Sequence, residues 1–166
     1  YGEKVLGASC ELISAVKELD AEAAALIVGN RAAADTVAVL GIPVIFIETA
    51  TDCDTLTEVL SQTVKEQNPD IVLLANTSLA KDIAPRIAGR MGLGCVSDVT
   101  GINKTDGKVI YTRPAYGGTI LEHIVVEGTA VVTVRNGSFS KPEASSSAGV
   151  TEKKLEISAG TVKAKI

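Results

Sequence analysis

Three short, continuously apolar runs punctuate the first half of this chain: residues 23–28, Val44–Ile47 and Ile71–Ala75. A strand that is apolar at every position has no solvated face, so helices must cover it on both sides, as in a buried parallel sheet. The segments between the runs carry apolar residues at helical spacing. Alternation of the two patterns predicts a doubly wound α/β domain, with a three-layer, open and mostly parallel sheet in which these three strands run parallel and buried.

The boundaries follow from local chemistry. Ser9 is placed to cap a first helix, with Glu11 favourable to its dipole and Leu12, Ile13, Val16 and Leu19 on one face. Residues 31–40 are Ala-rich and stop at Gly41, which suits a left-handed helix end, and Pro43 bars further helix. Thr55 and Glu58 have the spacing of a capping box, in front of a stripe of Leu56, Val59, Leu60 and Val64. A fourth helix is expected to begin near Lys81-Asp82, so that Pro85 falls in the first turn, where its missing N–H is not needed. Ile83, Ile87 and Met91 then align, and Gly92 closes it.

Beyond Gly94 the texture changes. Asp106-Gly107 reads as a hairpin turn, and Val125-Val126 and residues 131–134 read as further strands, giving a small antiparallel portion toward the C-terminus. Residues 143–154 are rich in Ser, Ala and Glu and read as a linker or surface loop; residues 155–166 alternate and suit an edge strand or an arm. The division expected is one α/β domain over 1–142 and a linker and arm over 143–166. Doubly wound sheets open on a strand that becomes central, yet this chain reaches its first helix by Ser9. Either Val5-Leu6 is a stub of that strand or the strand lies upstream.

Composition narrows the function. Hydrophobic residues make up 46% and charged residues 22%, with a net charge of −4, which argues against a nucleic-acid footprint. No apolar run approaches the ~20 residues of a membrane helix, and the opening Tyr1-Gly2-Glu3-Lys4 has neither signal peptide nor initiator Met. Cys10, Cys53 and Cys95 are too scattered for a disulfide framework or a zinc site; they read as reduced thiols of a cytoplasm-like compartment, and no metal ligands are expected. G-x-G-x-x-G, Walker A and G-x-S-x-G sequences are absent, so dinucleotide, P-loop and nucleophile-elbow chemistry find no support. The single His123 sits among apolar residues without a nucleophile or orienter and reads as structural.

Two polar stretches remain. Asn76-Thr77-Ser78 follows the third strand, where open α/β sheets form ligand crevices and helix amides can hold an anion; an ordinary capped turn explains it as well. Tyr111-Thr112-Arg113-Pro114-Ala115-Tyr116-Gly117-Gly118 puts a cation, a rigid Pro, an aromatic and a Gly pair on one loop. That composition suits a contact surface, with Arg113, Tyr116, Gly117 and Gly118 as interface candidates. A β-turn with an exposed Arg pairing a local carboxylate is the alternative.

The segment from Leu79 through Lys81-Asp82-Ile83-Ala84-Pro85-Arg86 to Gly92 resembles the "GKDLAPRLAARLG" helix of electron transfer flavoprotein alpha subunits. Ser97-Asp98-Val99-Thr100-Gly101 follows as in that family, then Thr112-Arg113-Pro114-Ala115-Tyr116-Gly117-Gly118. Val134-Arg135-Asn136-Gly137-Ser138-Phe139 is similar to its "VRPGxF", and Glu11-Leu12-Ile13 to its first helix. The resemblance implies the N-terminal domain of such a subunit, with a Rossmann-like fold of the adenine nucleotide alpha hydrolase type. It also implies a beta-subunit partner and a role in passing electrons between flavin dehydrogenases, such as acyl-CoA dehydrogenases, and an acceptor. Its flavin adenine dinucleotide (FAD) would be held chiefly by a C-terminal domain that does not follow here, and the family's opening strand is absent too. Tight flavin binding by this chain alone is therefore not expected, and Arg113 is the one residue that could reach an isoalloxazine ring.

Two readings compete: a structural and assembly domain of a flavoprotein complex, and a free-standing adenine-nucleotide module like the universal stress proteins. The latter carry a G-x2-G-x9-G-S/T phosphate pattern near the C-terminus, which is missing here. An enzyme in its own right would need a nucleophile–base pair that the chain does not display. An electron-transfer protein of a bacterial or archaeal cytoplasm, with no membrane insertion and no nucleic-acid partner, is the expectation.

Overall fold

The computed structural model describes residues 5–144 and 147–155. Four helices, α1 (Gly7–Glu18), α2 (Arg31–Ala38), α3 (Cys53–Gln67) and α4 (Ser78–Met91), alternate with the strands β1 (Ala25–Val28), β2 (Val44–Ile47), β3 (Ile71–Ala75) and β4 (Gly94–Val99). An antiparallel meander follows, β5 (Gly101–Thr105), β6 (Lys108–Ala115) and β7 (Ile120–Val125), and then β8 (Ala130–Val134) and β9 (Val150–Glu152). The chain is α/β with two parallel sheets, ordered β1-β2-β9 and β3-β8-β4, and the small antiparallel sheet β5-β6-β7. No helix among the described residues is long and apolar enough to cross a membrane.

Strand periodicity divides the core between two faces. Ala25 and Ile27 of β1 turn to α1 and α2, meeting Ile13, Ala34 and Val37. Ile71 and Leu73 of β3 turn to the same side and meet Leu12 and Ala15 of α1. On the opposite face Val28, Val72, Leu74 and Val131 lie under Leu56 of α3 and Ile83, Ala84 and Ile87 of α4. Helix α1 therefore spans both parallel sheets on one face, and α3 with α4 on the other, which makes three layers.

Several local expectations are corrected. The N-cap of α1 is Leu6, with no side-chain bond, because the helix already starts at Gly7; Ser9 lies inside it. The cap of α3 is Asp52, whose carboxylate accepts the Thr55 N–H at 2.9 Å; Thr55 is buried within the helix and Glu58 is spent on Arg90. Helix α4 starts at Ser78 on a Thr77 cap, so Pro85 is its eighth residue, not a first-turn one, and the Lys81 carbonyl loses its helical donor. Among the described residues, strands β1, β2 and β3 have only parallel partners, as expected. Only β2 is close to fully buried: every side chain of β1, and all of β3 but Ala75, is half-buried.

Asp106 and Gly107, at φ 51 and 76, form the two-residue turn between β5 and β6, whose positive φ angles match the twist of the strands. Within residues 143–154 the structure adds β9, which runs parallel to β2 with Val44 opposite Val150. Residues 156–166 of the expected edge strand or arm lie outside the described residues.

Candidate functional site

Carboxyl ends of parallel strands are where open α/β sheets leave crevices. Here the ends of β3, β8 and β4 enclose a cavity of about 350 Å³, lined among others by Asn76, Lys81, Pro85, Ser97, Asp98 and Thr133. Its organising residue is Asp98. The register of β4 on β8 breaks between Val96 and Val99, and Asp98 takes a φ of 64, a left-handed conformation that Asp tolerates better than most residues. The bulge aims the carboxylate at Arg135, which binds both its oxygens, Nε to Oδ1 at 3.0 Å and a terminal nitrogen to Oδ2 at 2.5 Å. Asn76 Nδ2 donates to Oδ1 at 2.7 Å, and the Asp98 N–H donates to the Thr133 hydroxyl at 3.0 Å.

This environment holds the Asp98 carboxyl below the ordinary range, through the Arg135 hydrogen bond first and then the charges of Arg135, Lys81 and Arg113. Three cations thus surround one carboxylate. Asn76 Oδ1, buried on the cavity wall, has no donor among the described residues. The turn Asn76-Thr77-Ser78 is both things its sequence allowed: Thr77 accepts the Ala80 N–H at 3.2 Å as a cap, and Asn76 joins the crevice. The loop after β8 is tied down by the buried Glu11, whose carboxylate accepts the Gly137 N–H at 2.7 Å.

The β6–β7 hairpin adjoins this cavity. Cross-strand pairing sets Arg113 opposite Glu122, Thr112 opposite His123 and Pro114 opposite Leu121, so the two faces of the hairpin differ. Arg113 turns inward. Its Nε lies 3.0 Å from Glu122 Oε2, near enough for an ion pair but without hydrogen-bond alignment, and a terminal nitrogen donates to Ser97 Oγ at 3.2 Å. Ser97 lines the cavity, so Arg113 ties the hairpin to its rim. Leu121, His123 and Val125 occupy the outward face, where the His123 ring nitrogen meets the Thr112 hydroxyl at 3.0 Å.

At the tip, Tyr116, Gly117 and Gly118 have φ values of 49, 68 and 90. An aromatic residue in that region stores backbone strain, and the two glycines supply what side chains resist. Tyr116 is 79% exposed, Leu121 60%, Ile120 50% and Val125 49%, the densest group of exposed large apolar side chains on the described surface. Of the four residues singled out in the sequence, the structure gathers Tyr116, Gly117 and Gly118 at one exposed tip and separates Arg113 onto the inner face. Sequence reasoning gave no role to Asp98 or Arg135, although both lie in quoted motifs. A Ser-Asp pair ending a strand and an Arg ending another were the available signal.

Cys10, Cys53 and Cys95 are all free thiols. Cys53 donates from Sγ to Asp82 Oδ2 at 2.8 Å, and burial first, with Asp82 next, raises its pKa. No group of three His, Cys, Asp or Glu among the described residues is arranged to hold a metal ion.

Comparison with known proteins gives a consistent picture. The family described as "Electron transfer flavoprotein domain" matches residues 2–159. The chain is similar to the electron transfer flavoprotein subunit alpha of Bacillus subtilis (strain 168), 27% identical over 106 residues, covering 63% of this chain and 33% of that protein. With the subunit alpha of Megasphaera elsdenii it shares 36% identity over 99 residues, 56% of this chain and 29% of the relative. With the lactate dehydrogenase (NAD(+),ferredoxin) subunit LctC of Acetobacterium woodii it shares 34% over 88 residues, 51% and 21% of the two chains. The matches span a third or less of these three relatives' length.

Proposed function

Because this chain belongs to the electron transfer flavoprotein family, as an N-terminal domain of the alpha-subunit type, we propose that it acts as the structural and assembly part of a two-subunit electron carrier. It docks on a beta subunit and steadies FAD held elsewhere in the assembly. The carrier passes electrons from flavin dehydrogenases, acyl-CoA dehydrogenases among them, to an acceptor. The three free thiols accord with a reducing, cytoplasmic setting.

The observation that carries the reading is the hairpin. Four large apolar side chains stand exposed on Tyr116, Ile120, Leu121 and Val125. Exposed apolar side chains grouped on one hairpin, Leu121 and Val125 on its outward face and Tyr116 and Ile120 near its tip, mark a contact surface, and aromatic residues are typical anchors in such surfaces. Arg113 braces the surface from behind through Glu122 and Ser97, while Tyr116, Gly117 and Gly118 form its leading edge. The cavity beside it is lined by Asn76, Lys81, Ser97, Asp98 and Thr133 among others but by no Gly-rich turn opening a helix. It has no cradle for a pyrophosphate, and tight FAD binding by this chain alone does not follow from it.

Titration calorimetry of the 166-residue chain with a family beta subunit tests the reading. The unaltered chain is expected to bind. Tyr116→Ala is expected to weaken binding about 10-fold or more, as for a buried aromatic anchor, and Leu121→Asp to weaken it further, with unchanged circular dichroism. Unchanged affinity in both variants would overturn the docking surface. A stoichiometric flavin spectrum in the purified chain would overturn the assignment of FAD to the rest of the assembly.

A further inference from the structure

The cavity at the carboxyl ends of β3, β8 and β4 has two unlike walls. Ala84 and Pro85 of α4 give an apolar side, Asn76, Ser97 and Thr133 a polar one, and Lys81 joins the lining. Its volume of about 350 Å³ is that of a small-molecule site, for which ~300 Å³ is the usual lower bound. Neither the docking hairpin nor the electron-carrier reading gives this space a task.

Hydrogen bonding on the polar wall is incomplete. Asn76 Nδ2 is spent on Asp98 Oδ1, and its own Oδ1, buried, meets no donor among the described residues. Turning the amide over would set that oxygen against the Asp98 carboxylate, so its orientation is fixed. A buried acceptor without a donor is costly. The hydroxyl oxygens of Ser97 and of the buried Thr133 accept from Arg113 and from the Asp98 N–H. Their own protons reach no acceptor among the described residues.

Charge completes the pattern. Three cations act on Asp98: Arg135 pairs with it, Arg113 pairs with Glu122, and Lys81 has neither ion pair nor side-chain hydrogen bond among the described residues. The excess is one positive charge. The complement of such a wall is a monoanion whose oxygens accept from Lys81 and the two hydroxyls. It also carries a hydroxyl that donates to Asn76, and a carbon skeleton that covers Ala84 and Pro85.

We propose that this cavity binds a short-chain hydroxycarboxylate. Its carboxylate lies at Lys81, Ser97 and Thr133, its hydroxyl donates to Asn76 Oδ1, and its chain rests on the apolar wall. Asp98 holds the Asn76 amide in place, and the Arg135 guanidinium on both its oxygens offsets repulsion between the two carboxylates. Inorganic anions fit less well: sulfate has no proton for Asn76, and phosphate leaves the apolar wall uncovered.

Nitrogen-15 NMR titration of the 166-residue chain at neutral pH tests this. The probes are glycolate against acetate and glycerate against propionate, with inorganic phosphate as a fifth. The Asn76 side-chain amide and the backbone amides of Ser97, Asp98 and Thr133 are expected to shift together and saturate at millimolar hydroxy acid. Each hydroxy acid is expected to bind about 10-fold more tightly than its counterpart, because the counterpart leaves the buried Asn76 oxygen unmet. Lys81→Gln, on an exposed position, is expected to weaken hydroxy-acid binding about 10-fold, and Lys81→Arg to retain most of it. Absence of saturable shifts would overturn the proposal, as would equal affinity within each pair of acids. Unchanged affinity in Lys81→Gln would do the same, and so would phosphate saturating these resonances at lower concentration than either hydroxy acid.

Discussion

At the scale of single residues, Asp98 shows how geometry converts an ordinary carboxylate into an organising group. Its left-handed backbone and the adjacent bulge let one side chain meet Arg135 and Asn76 together. The pair is partly solvated, with side chains 35% and 47% exposed, so screening limits its worth to about 1 kcal/mol. Asp98→Asn keeps a residue type that accepts positive φ, removes the charge and exchanges one of the two acceptor oxygens for a donor. The variant is expected to lose about 1 kcal/mol of stability at pH 7. The native pKa is depressed, so the contribution is complete above the unfolded value near ~4 and is lost as pH falls through the native value. Urea melts of both proteins should therefore differ at pH 7 and converge on acidification. A pH-independent difference would show that the charge is not the cause.

At the scale of elements, α4 carries the largest departure from local rules. Pro85 in its interior leaves the Lys81 carbonyl without a helical donor, at the wall of the cavity. The helix persists because Ile83, Ala84, Ile87 and Ala88 are buried in the core and because Thr77 and the left-handed Gly92 close its two ends. Ion pairs add little on its exposed side, where Arg86 meets Asp54 and Asp82 and Arg90 meets Glu58. Pro85→Ala restores the missing N–H and is expected to raise stability by about 1 kcal/mol, below the ~3 kcal/mol of an isolated helix interior because proline also restricts the unfolded chain. Thermal melting checks it; a lowered midpoint would mean that the ring's packing at the cavity outweighs the hydrogen bond.

At the scale of the whole molecule, no strand pairing among the described residues joins the sheet β1-β2-β9 to the sheet β3-β8-β4; helices and apolar clusters bridge them. Strand β8 is buried at every position and has a partner on each side, whereas every side chain of β1 is half-buried. Stability is then unevenly distributed. The amides of β1 and β2 that pair with each other are expected to exchange about 10-fold or more faster than those of β8 in native-state exchange. Equal protection in both halves would show that side-chain packing alone couples them as firmly as a continuous ladder.

Much of this was legible in one dimension. Continuous apolar runs at Val44–Ile47 and Ile71–Ala75 made parallel strands the economical reading, and Asp106-Gly107 set a hairpin because few other pairs adopt two positive φ angles. The motifs around Pro85, Asp98, Arg113 and Arg135 pointed to the family from the residues alone. Cap positions were less legible: Thr55 and Asp52 both satisfy local chemistry, and the choice fell to Asp52 because Thr55 is needed inside the buried face of α3. Apolar character told which strands want burial, not whether a neighbour is present to provide it, so the half-exposed edges of β1 and β3 emerged only from the pairing. The convergence of Asn76, Asp98 and Arg135, and the turning of Arg113 inward while Leu121 and Val125 face outward, depend on side-chain contacts 16 to 37 positions apart and on the register of the hairpin. Local chemistry determined which elements this chain forms; strand register and tertiary contact alone decided which side chains meet.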